Sequence, residues 1–403
     1  MSDKLALHGG KPILSKKLPP SYPGALMINH KEIDEVLNVL KSKSLFRYYG
    51  PNPLYTVEKF EQEFSSFIGT NYALAVSSGT ASLFVSLKAM GIGRRDKVIV
   101  PGYTWISTPL TVVENDAVPV VCSIDESLNI DPYCVREKVE EDDKIKAVIP
   151  VHMRGAPCEM DKIMHIAEEY QLMVLEDVAQ SCGGAYKGKK LGSYGHMGAF
   201  SFQLNKIITS GEGGAITTSD EELYRNAVAF HDVAAFFRDP ERIPPKPGLN
   251  FKIDEVRAAI LHVQLKKIGE IISRMKKVKK IIRGYAEKSG LKLREINDED
   301  GDTAAAIIFL LNSEEEASWF RKALSAEGVP CYKLYDTRHP YDAHIWVNWR
   351  PIIGDRLEVF VRDGEKVTSL LSRCVEITLN PLITVEDAEL IGKAIEKVSG
   401  HIP

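Results

Sequence analysis

No Cys-x-x-Cys pair occurs in this chain, whose six cysteines (Cys122, Cys134, Cys158, Cys182, Cys331 and Cys374) are scattered over 403 residues. That spacing offers no disulfide framework, and in a chain this long it reads as reduced, structural thiols in the cytoplasm, none of them a clear nucleophile. The ten histidines form no H-x-x-x-H or H-E-x-x-H pair, so no metal site is expected. Apolar runs of the ~18–20 residues that span a bilayer are missing. The opening MSDKLALHGGKPI contains no apolar stretch of signal-peptide length. An excess of either charge is missing too: 51 basic against 55 acidic residues leave a net charge of −4, which gives no reason to expect nucleic acid or an anionic membrane as partner. Repeats and low-complexity tracts are absent.

What is present is an ordinary globular composition, 44% apolar and 26% charged. The length exceeds the ~250–300 residues at which single cores stop growing, so two domains are expected, divided as 1–265 and 266–403. From Tyr72 to Thr218 short β-like runs (YALAVS, KVIVP, VPVV, IKAVIPV, LMVLE, GAFSF, GAITT) alternate with patterns of helical spacing such as ASLFVSLKAM and CEMDKIMHIAEEYQ. This predicts an α/β fold with a mainly parallel sheet covered on both faces, whose ligands bind beyond the carboxyl ends of the strands. Residues Phe237–Asn250 read as a long loop, followed by a helical run from Ile253 to about Lys288 with a solvated basic face. Beyond Gly290, AAAIIFLLN, EEEASWFRKALSAEG and PCYKLY predict a smaller α+β domain. Two helices are expected near Asn29–Ser42 and Tyr55–Ile68, joined by the aromatic loop LFRYYGPN.

Two segments carry the chemistry. LMVLEDVAQ is a buried-strand sequence ending at Asp177, with Gln180 just beyond; SFQLNKIITSGEGGA holds Lys206 in a loop closed by glycines. A lysine amine can form a Schiff base with the aldehyde of pyridoxal phosphate (PLP), and a carboxylate can keep its pyridine nitrogen protonated. Alone, Lys206 reads as one more solvated lysine and Asp177 as a helix N-cap; the set around them changes that. Gln180, read as one helical turn on, can donate to the ring's phenolate oxygen, and Ser201 can hold a phosphate oxygen. In VSSGTASLFVSL a strand runs into Ser77-Ser78-Gly79-Thr80 and a helix begins at about Ala81, a phosphate site or an ordinary capped turn. Trp105 in PGYTWIST can lie against the cofactor ring or belong to the core. GGAYKGKK has P-loop spacing, but Lys190 stands where the magnesium-binding hydroxyl belongs and no buried strand leads in, so it is rejected. GIG at Gly91–Gly93 precedes a strand and is no dinucleotide fingerprint.

The motifs SSGTASL, PGYTWIST, VLEDVAQSCGG, SFQLNKIITSGEGG and GLNFKIDEVRAAILHVQL, in that order, resemble the DegT/DnrJ/EryC1/StrS aminotransferases over nearly the whole chain. The resemblance implies the fold type I architecture, a homodimer, PLP as cofactor, and amination of a keto group on a sugar or cyclitol with glutamate or glutamine as donor. It implies Lys206 as Schiff-base lysine and general acid/base, Asp177 on the pyridine nitrogen, Gln180 on the phenolate oxygen and Trp105 stacked on the ring. Gly79, Thr80 and Ser201 would bind the phosphate, with Asn250 reaching the phosphate of the other subunit. Many members have histidine where this chain has Gln203 and Val233, and arginine where it has Lys252; these departures bear on the substrate. Lys206 itself argues against the branch that replaces it by histidine and dehydrates sugars.

Within the family LFRYYGPN, PVHMRG, REINDEDGD and the NW of VNWRP look closest to transaminases that make 8-amino-octulosonate. Arg47, with neighbouring Tyr48, or Arg154 can clamp the carboxylate of such a sugar acid; the alternative is that both arginines are structural. Cyclitol or aromatic-precursor aminotransferases, a PLP-dependent lyase or dehydratase, and a silent cofactor binder stay open.

Overall fold

The computed structural model describes residues 4–336 and 342–402. Its strands are β1 (Tyr72–Val76), β2 (Lys97–Pro101), β3 (Val118–Cys122), β4 (Ile145–Val148), β5 (Met173–Asp177), β6 (Ala185–Tyr186), β7 (Lys189–Lys190), β8 (Met197–Ser201), β9 (Gly214–Thr218), β10 (Ala306–Leu310), β11 (Tyr332–Lys333), β12 (Glu358–Val359) and β13 (Cys374–Thr378). Eight of them form one sheet in the order β1-β9-β8-β5-β4-β2-β3-β12. Its pairings are parallel except at β9, which runs against both neighbours. Each β-like run expected between Tyr72 and Thr218 is a strand of this sheet.

These strands are apolar throughout because both faces are covered. Ala73, Ala75, Ile99, Val148 and Val174 belong to one core, while Leu74, Val76, Val98, Val100, Ala147 and Leu175 belong to the core on the opposite face. The alternation follows the two-residue period of a strand. Helices between successive strands, among them Gly79–Ala89, Ser107–Glu114 and Met160–Glu169, put every parallel strand's carboxyl end at the same edge.

A three-stranded antiparallel sheet, β10-β13-β11, carries a third core with the helices Glu314–Ala326 and Val385–Ser399. The helix Glu255–Lys288 serves two cores: Ala258, Leu261, Ile268 and Met275 pack under the large sheet, and Val278, Ile282 and Ala286 under the small one. At 34 residues it is about 51 Å long. The division expected at 265/266 falls within this helix. After the small sheet has begun, the chain returns to the large one: Trp349, Ile353 and Leu357 are buried in its core, and β12 pairs with β3. The amino-terminal segment lies against the small sheet's layer, where Leu5, Leu14 and Leu18 join the third core. Glu327 binds it there, accepting the N–H groups of Ala6 (2.8 Å) and Ile13 (3.1 Å).

The helix Gly79–Ala89 begins two residues before the expected start, with Ser78 as its cap: Ser78 Oγ accepts the Ala81 N–H at 3.0 Å. GGAYKGKK folds as the β6–β7 hairpin around Lys187-Gly188. All six cysteines are buried and unbridged. Among the described residues no helix is long and apolar enough to cross a membrane, and no group of three or more His, Cys, Asp or Glu is arranged to hold a metal ion.

Candidate active site

A cavity of about 520 Å³ opens at the carboxyl edge of the large sheet, under the small one. Ser201 ends β8, Asp177 ends β5, and Lys206 follows β8 in the loop; all three line this cavity, together with Gly79, Thr80, Trp105, Arg154 and Gln180. Residues up to 127 positions apart thus converge because parallel strands end together.

The Lys206 amine makes no hydrogen bond or ion pair with a described residue. Burial holds its ammonium below the ordinary lysine value, and the Arg154 guanidinium adds to this while the Asp177 carboxylate opposes it. Its backbone is fixed, the carbonyl accepting the Gly24 N–H at 3.1 Å. Burial pushes the Asp177 carboxyl upward, against hydrogen bonds from the Ala179 N–H (3.1 Å, to Oδ1) and the Thr108 hydroxyl (2.9 Å, to Oδ2) and against the charge of Lys206. No helix starts after Asp177, so it caps none. The stretch Val178–Ser181 is a reverse turn, closed by the Ser181 N–H on the Val178 carbonyl at 2.9 Å, and not the helical turn expected between Asp177 and Gln180. Gln180 Oε1 accepts the Arg154 N–H at 3.1 Å, which leaves its amide NH₂ to donate into the cavity.

The phosphate end is built by close approach. A Cβ on Gly79 would meet the Ser201 Cβ at 2.6 Å, so the start of the helix Gly79–Ala89 can abut β8 only with glycine there. The N–H groups of Gly79 and Thr80, in the first turn, have no intrahelical acceptor. The Thr80 hydroxyl bonds Ser107 Oγ at 2.9 Å. Trp105 is 48% exposed and meets His344 edge to face, ring centroids 5.0 Å apart.

Other expected residues lie elsewhere. Arg47 and Tyr48 do not line the cavity: the Arg47 guanidinium makes two 2.9 Å bonds to the buried Glu61 carboxylate and lies over the Tyr48 ring. Asn250 is exposed, also outside the cavity, paired through its backbone with Asp232. Of the positions where the chain departs from its relatives, Gln203 lines the cavity, Val233 is 60% exposed, and Lys252 binds Asp232 at 2.9 Å. Arg154 sits in the left-handed region (φ 52°), with its Nε 3.0 Å from the Glu376 carboxylate of β13. Arg338 and Tyr341 lie outside the described residues; Asn348, in the NW of VNWRP, donates to the Asp342 carbonyl at 2.8 Å.

Sequence reasoning missed Thr104, Thr108, Glu212, His344 and Glu376, which also line the wall. Thr104 and Thr108 stand inside PGYTWIST, on either side of Trp105, and that placement was the available signal. Glu376 and His344 come from distant segments with no motif.

The residues fit pyridoxal phosphate on three observations: an unpaired amine, a buried carboxylate across from it, and a glycine-opened helix start beside Ser201. Together they define the class, a fold type I aminotransferase that depends on this cofactor. Comparison with known proteins places the chain within it. Residues 27–396 match the DegT/DnrJ/EryC1/StrS aminotransferase family, and the chain belongs to that family. It is 31% identical over 396 residues to the spore coat polysaccharide biosynthesis protein SpsC of Bacillus subtilis (strain 168), covering 94% of this chain and 97% of that one. An L-glutamine:2-deoxy-scyllo-inosose aminotransferase of Streptomyces paromomycinus is 37% identical over 229 residues, 56% of this chain and 52% of the relative. The X-ray structure of an aminotransferase from Psychrobacter cryohalolentis superposes with a TM-score of 0.81 at 28% identity, over 95% of this chain and 100% of that one.

Proposed function

We propose that the enzyme moves an amino group from glutamate or glutamine to the keto or aldehydo group of a sugar, and that a sugar acid of the octulosonate type is the acceptor. The observation that carries the sugar-acid reading is Arg154, an arginine on the cavity wall whose Nε lies 3.0 Å from the Glu376 carboxylate and whose guanidinium also meets Tyr103, a fixed positive charge suited to an acceptor's carboxylate. A cyclitol is the second reading, supported by the relative that acts on 2-deoxy-scyllo-inosose.

Bound pyridoxal phosphate supplies a ring that takes up the electron pair left at the substrate carbon. Lys206 Nζ, held toward its neutral form by burial, takes the proton from the donor's α-carbon and later gives one to the acceptor carbon. Asp177 provides the negative charge opposite the pyridine nitrogen, Gln180 a donor for the ring oxygen, and Trp105 a flat apolar face. Gly79, Thr80 and Ser201 would hold the phosphate through N–H and hydroxyl donors. The small sheet roofs the cavity through Glu376 and Thr378, which limits water at the reacting carbon.

The test is a panel of keto-sugars, sugar acids and cyclitols offered with glutamate and with glutamine, the amine product read by mass spectrometry. Amination of a sugar acid, weakened by Arg154→Ala while the donor half-reaction is spared, is the expected result. Amination of simple α-keto acids alone would remove the sugar reading. A homodimer with shared sites is part of the same proposal, with Asn250 serving the partner's phosphate. Mixing Lys206→Ala with an impaired Asn250→Ala variant then restores part of the activity after subunit exchange, and a fully active monomer in light scattering would refute it.

A further inference from the structure

We infer that Thr108, oriented by Thr104, is a positioning residue that aims Asp177 and keeps it ionised. The inference rests on the reading that Asp177 serves the pyridine nitrogen. The Thr108 hydroxyl lies 2.9 Å from Asp177 Oδ2, and the Thr104 hydroxyl 2.9 Å from that of Thr108. Both threonines are 0% exposed and Asp177 is 4% exposed.

Counting protons gives the chain its direction. A hydroxyl owns one proton. If the Asp177 carboxylate is an anion, Thr108 must give it that proton, and Thr108 then has only a lone pair to offer Thr104, which must donate in turn. If Asp177 carried a proton on Oδ2, the bond to Thr108 would reverse, and the Thr108 proton would be released to turn toward Thr104. The run therefore responds to the charge on Asp177, and each donor polarises the next when the acid is ionised. Oδ1 is satisfied separately by the Ala179 N–H. With one fixed donor on each oxygen, the carboxylate plane cannot turn freely, and its remaining lone pairs face the cavity that Asp177 lines. The titratable groups facing it from other elements are Lys206, in the loop after β8, and His152, which follows β4.

Thr104 and Thr108 bracket Trp105 in one short segment, and the helix Ser107–Glu114 starts between them. A single turn of chain thus presents the apolar face for the ring and locks the acid at its nitrogen. A merely structural threonine would need no such coupling to Asp177, and that coupling is what can be measured.

The probe is pyridoxal phosphate itself, titrated into cofactor-free protein and followed by tryptophan fluorescence, beside the rate of the glutamate half-reaction. Thr108→Val keeps shape and loses the donor; it should weaken cofactor binding about tenfold, the scale of one lost hydrogen bond to a charge. Thr108→Ser should recover most of this, and Thr104→Val should cost less than Thr108→Val because it acts only through the second hydroxyl. In an Asp177→Asn background Thr108→Val should add little. Full additivity of Thr108→Val with Asp177→Asn, or wild-type affinity for Thr108→Val, would overturn the inference while leaving the role of Asp177 intact. An inert Asp177→Asn would instead remove the reading beneath it, and the inference with it. If Thr108→Val fails to fold, the Thr108→Ser and Thr104→Val pair decides: graded losses support the run of hydroxyls, and two wild-type affinities end it.

Discussion

Two clusters of charge lie on the large sheet, and they differ in how far their groups are paired. Around Lys206 the amine has no partner among the described residues, the first amides of the helix Gly79–Ala89 have no acceptor within it, and Arg154 is held by Glu376 and Tyr103 on the cavity wall. Around Arg47 the pairing is complete. Glu61 takes two bonds from Arg47 and one from the Ala75 N–H (2.7 Å), while Asp232 takes Lys252 and Arg238 together. Buried charges cost several kcal/mol each unless paired, so a closed cluster is how a fold carries them. An open cluster in a cavity stays only where a ligand completes it. Composition does not separate the two regions; saturation does.

The contrast breaks most visibly at Lys206. Lys206→Ala should fold normally yet lower the donor half-reaction by about a thousandfold, the scale of a lost general base, with cofactor retained only noncovalently. Borohydride would then fix no cofactor on the protein; a variant with wild-type turnover would erase the distinction between the clusters.

At Arg47 the loss should fall on stability. Removing one partner of a buried pair strands the Glu61 carboxylate, and Arg47→Ala should lower unfolding free energy by about 3 kcal/mol in a urea titration. Cofactor affinity should barely change. A variant that is stable but cannot bind acceptor would move Arg47 into the open class.

Arg154 tests the boundary, since it is both tethered and on the wall. Arg154→Ala should raise the Michaelis constant for a sugar-acid acceptor about tenfold and leave the glutamate half-reaction alone, the pattern of one lost binding contact. An equal loss in both half-reactions would mark Arg154 as structural.

A separate effect is one of pH. His231 is wholly buried, its Nδ1 donating to the Val228 carbonyl at 2.6 Å, and burial together with the Arg47 charge pushes its pKa down to about 3. An unfolded histidine takes its proton near the ordinary value of about 6.5, so between that pH and about 3 the unfolded chain binds the extra proton. Stability from this group is therefore present above pH 6.5 and falls by about 1.4 kcal/mol per pH unit on acidification towards pH 3. His231→Gln should flatten that part of the stability–pH curve; an unchanged slope would assign the acid sensitivity to other groups.

Much of this was legible in the sequence, for identifiable reasons. Strands buried on both faces must be apolar at every position, which is why KVIVP and LMVLE stood out, and an acid or lysine just past such a strand lies at the ligand edge by topology alone. Asp177 and Lys206 stood out that way and Gly79 as the turn from a strand into a helix, and all three line the cavity. Arg47 misled because an arginine beside tyrosines looks the same in sequence whether or not Glu61 reaches it across a helix. β12 has two residues, too few to carry a period, and His344 and Glu376 reach the cavity only through packing between segments that no local pattern connects. Thr108 was in view within PGYTWIST, but the direction of its hydroxyl is a property of the folded site.

The bond between Ala6 and Glu327 joins residues 321 apart. Leu5, Leu14 and Leu18 cannot be covered until Ile391, Ile395 and Val398 have left the ribosome, because those residues share their core. What is made first is therefore seated last. Gly24, further along that segment, donates its N–H to the carbonyl of Lys206, so the part of the chain made first also braces the loop that carries the lysine.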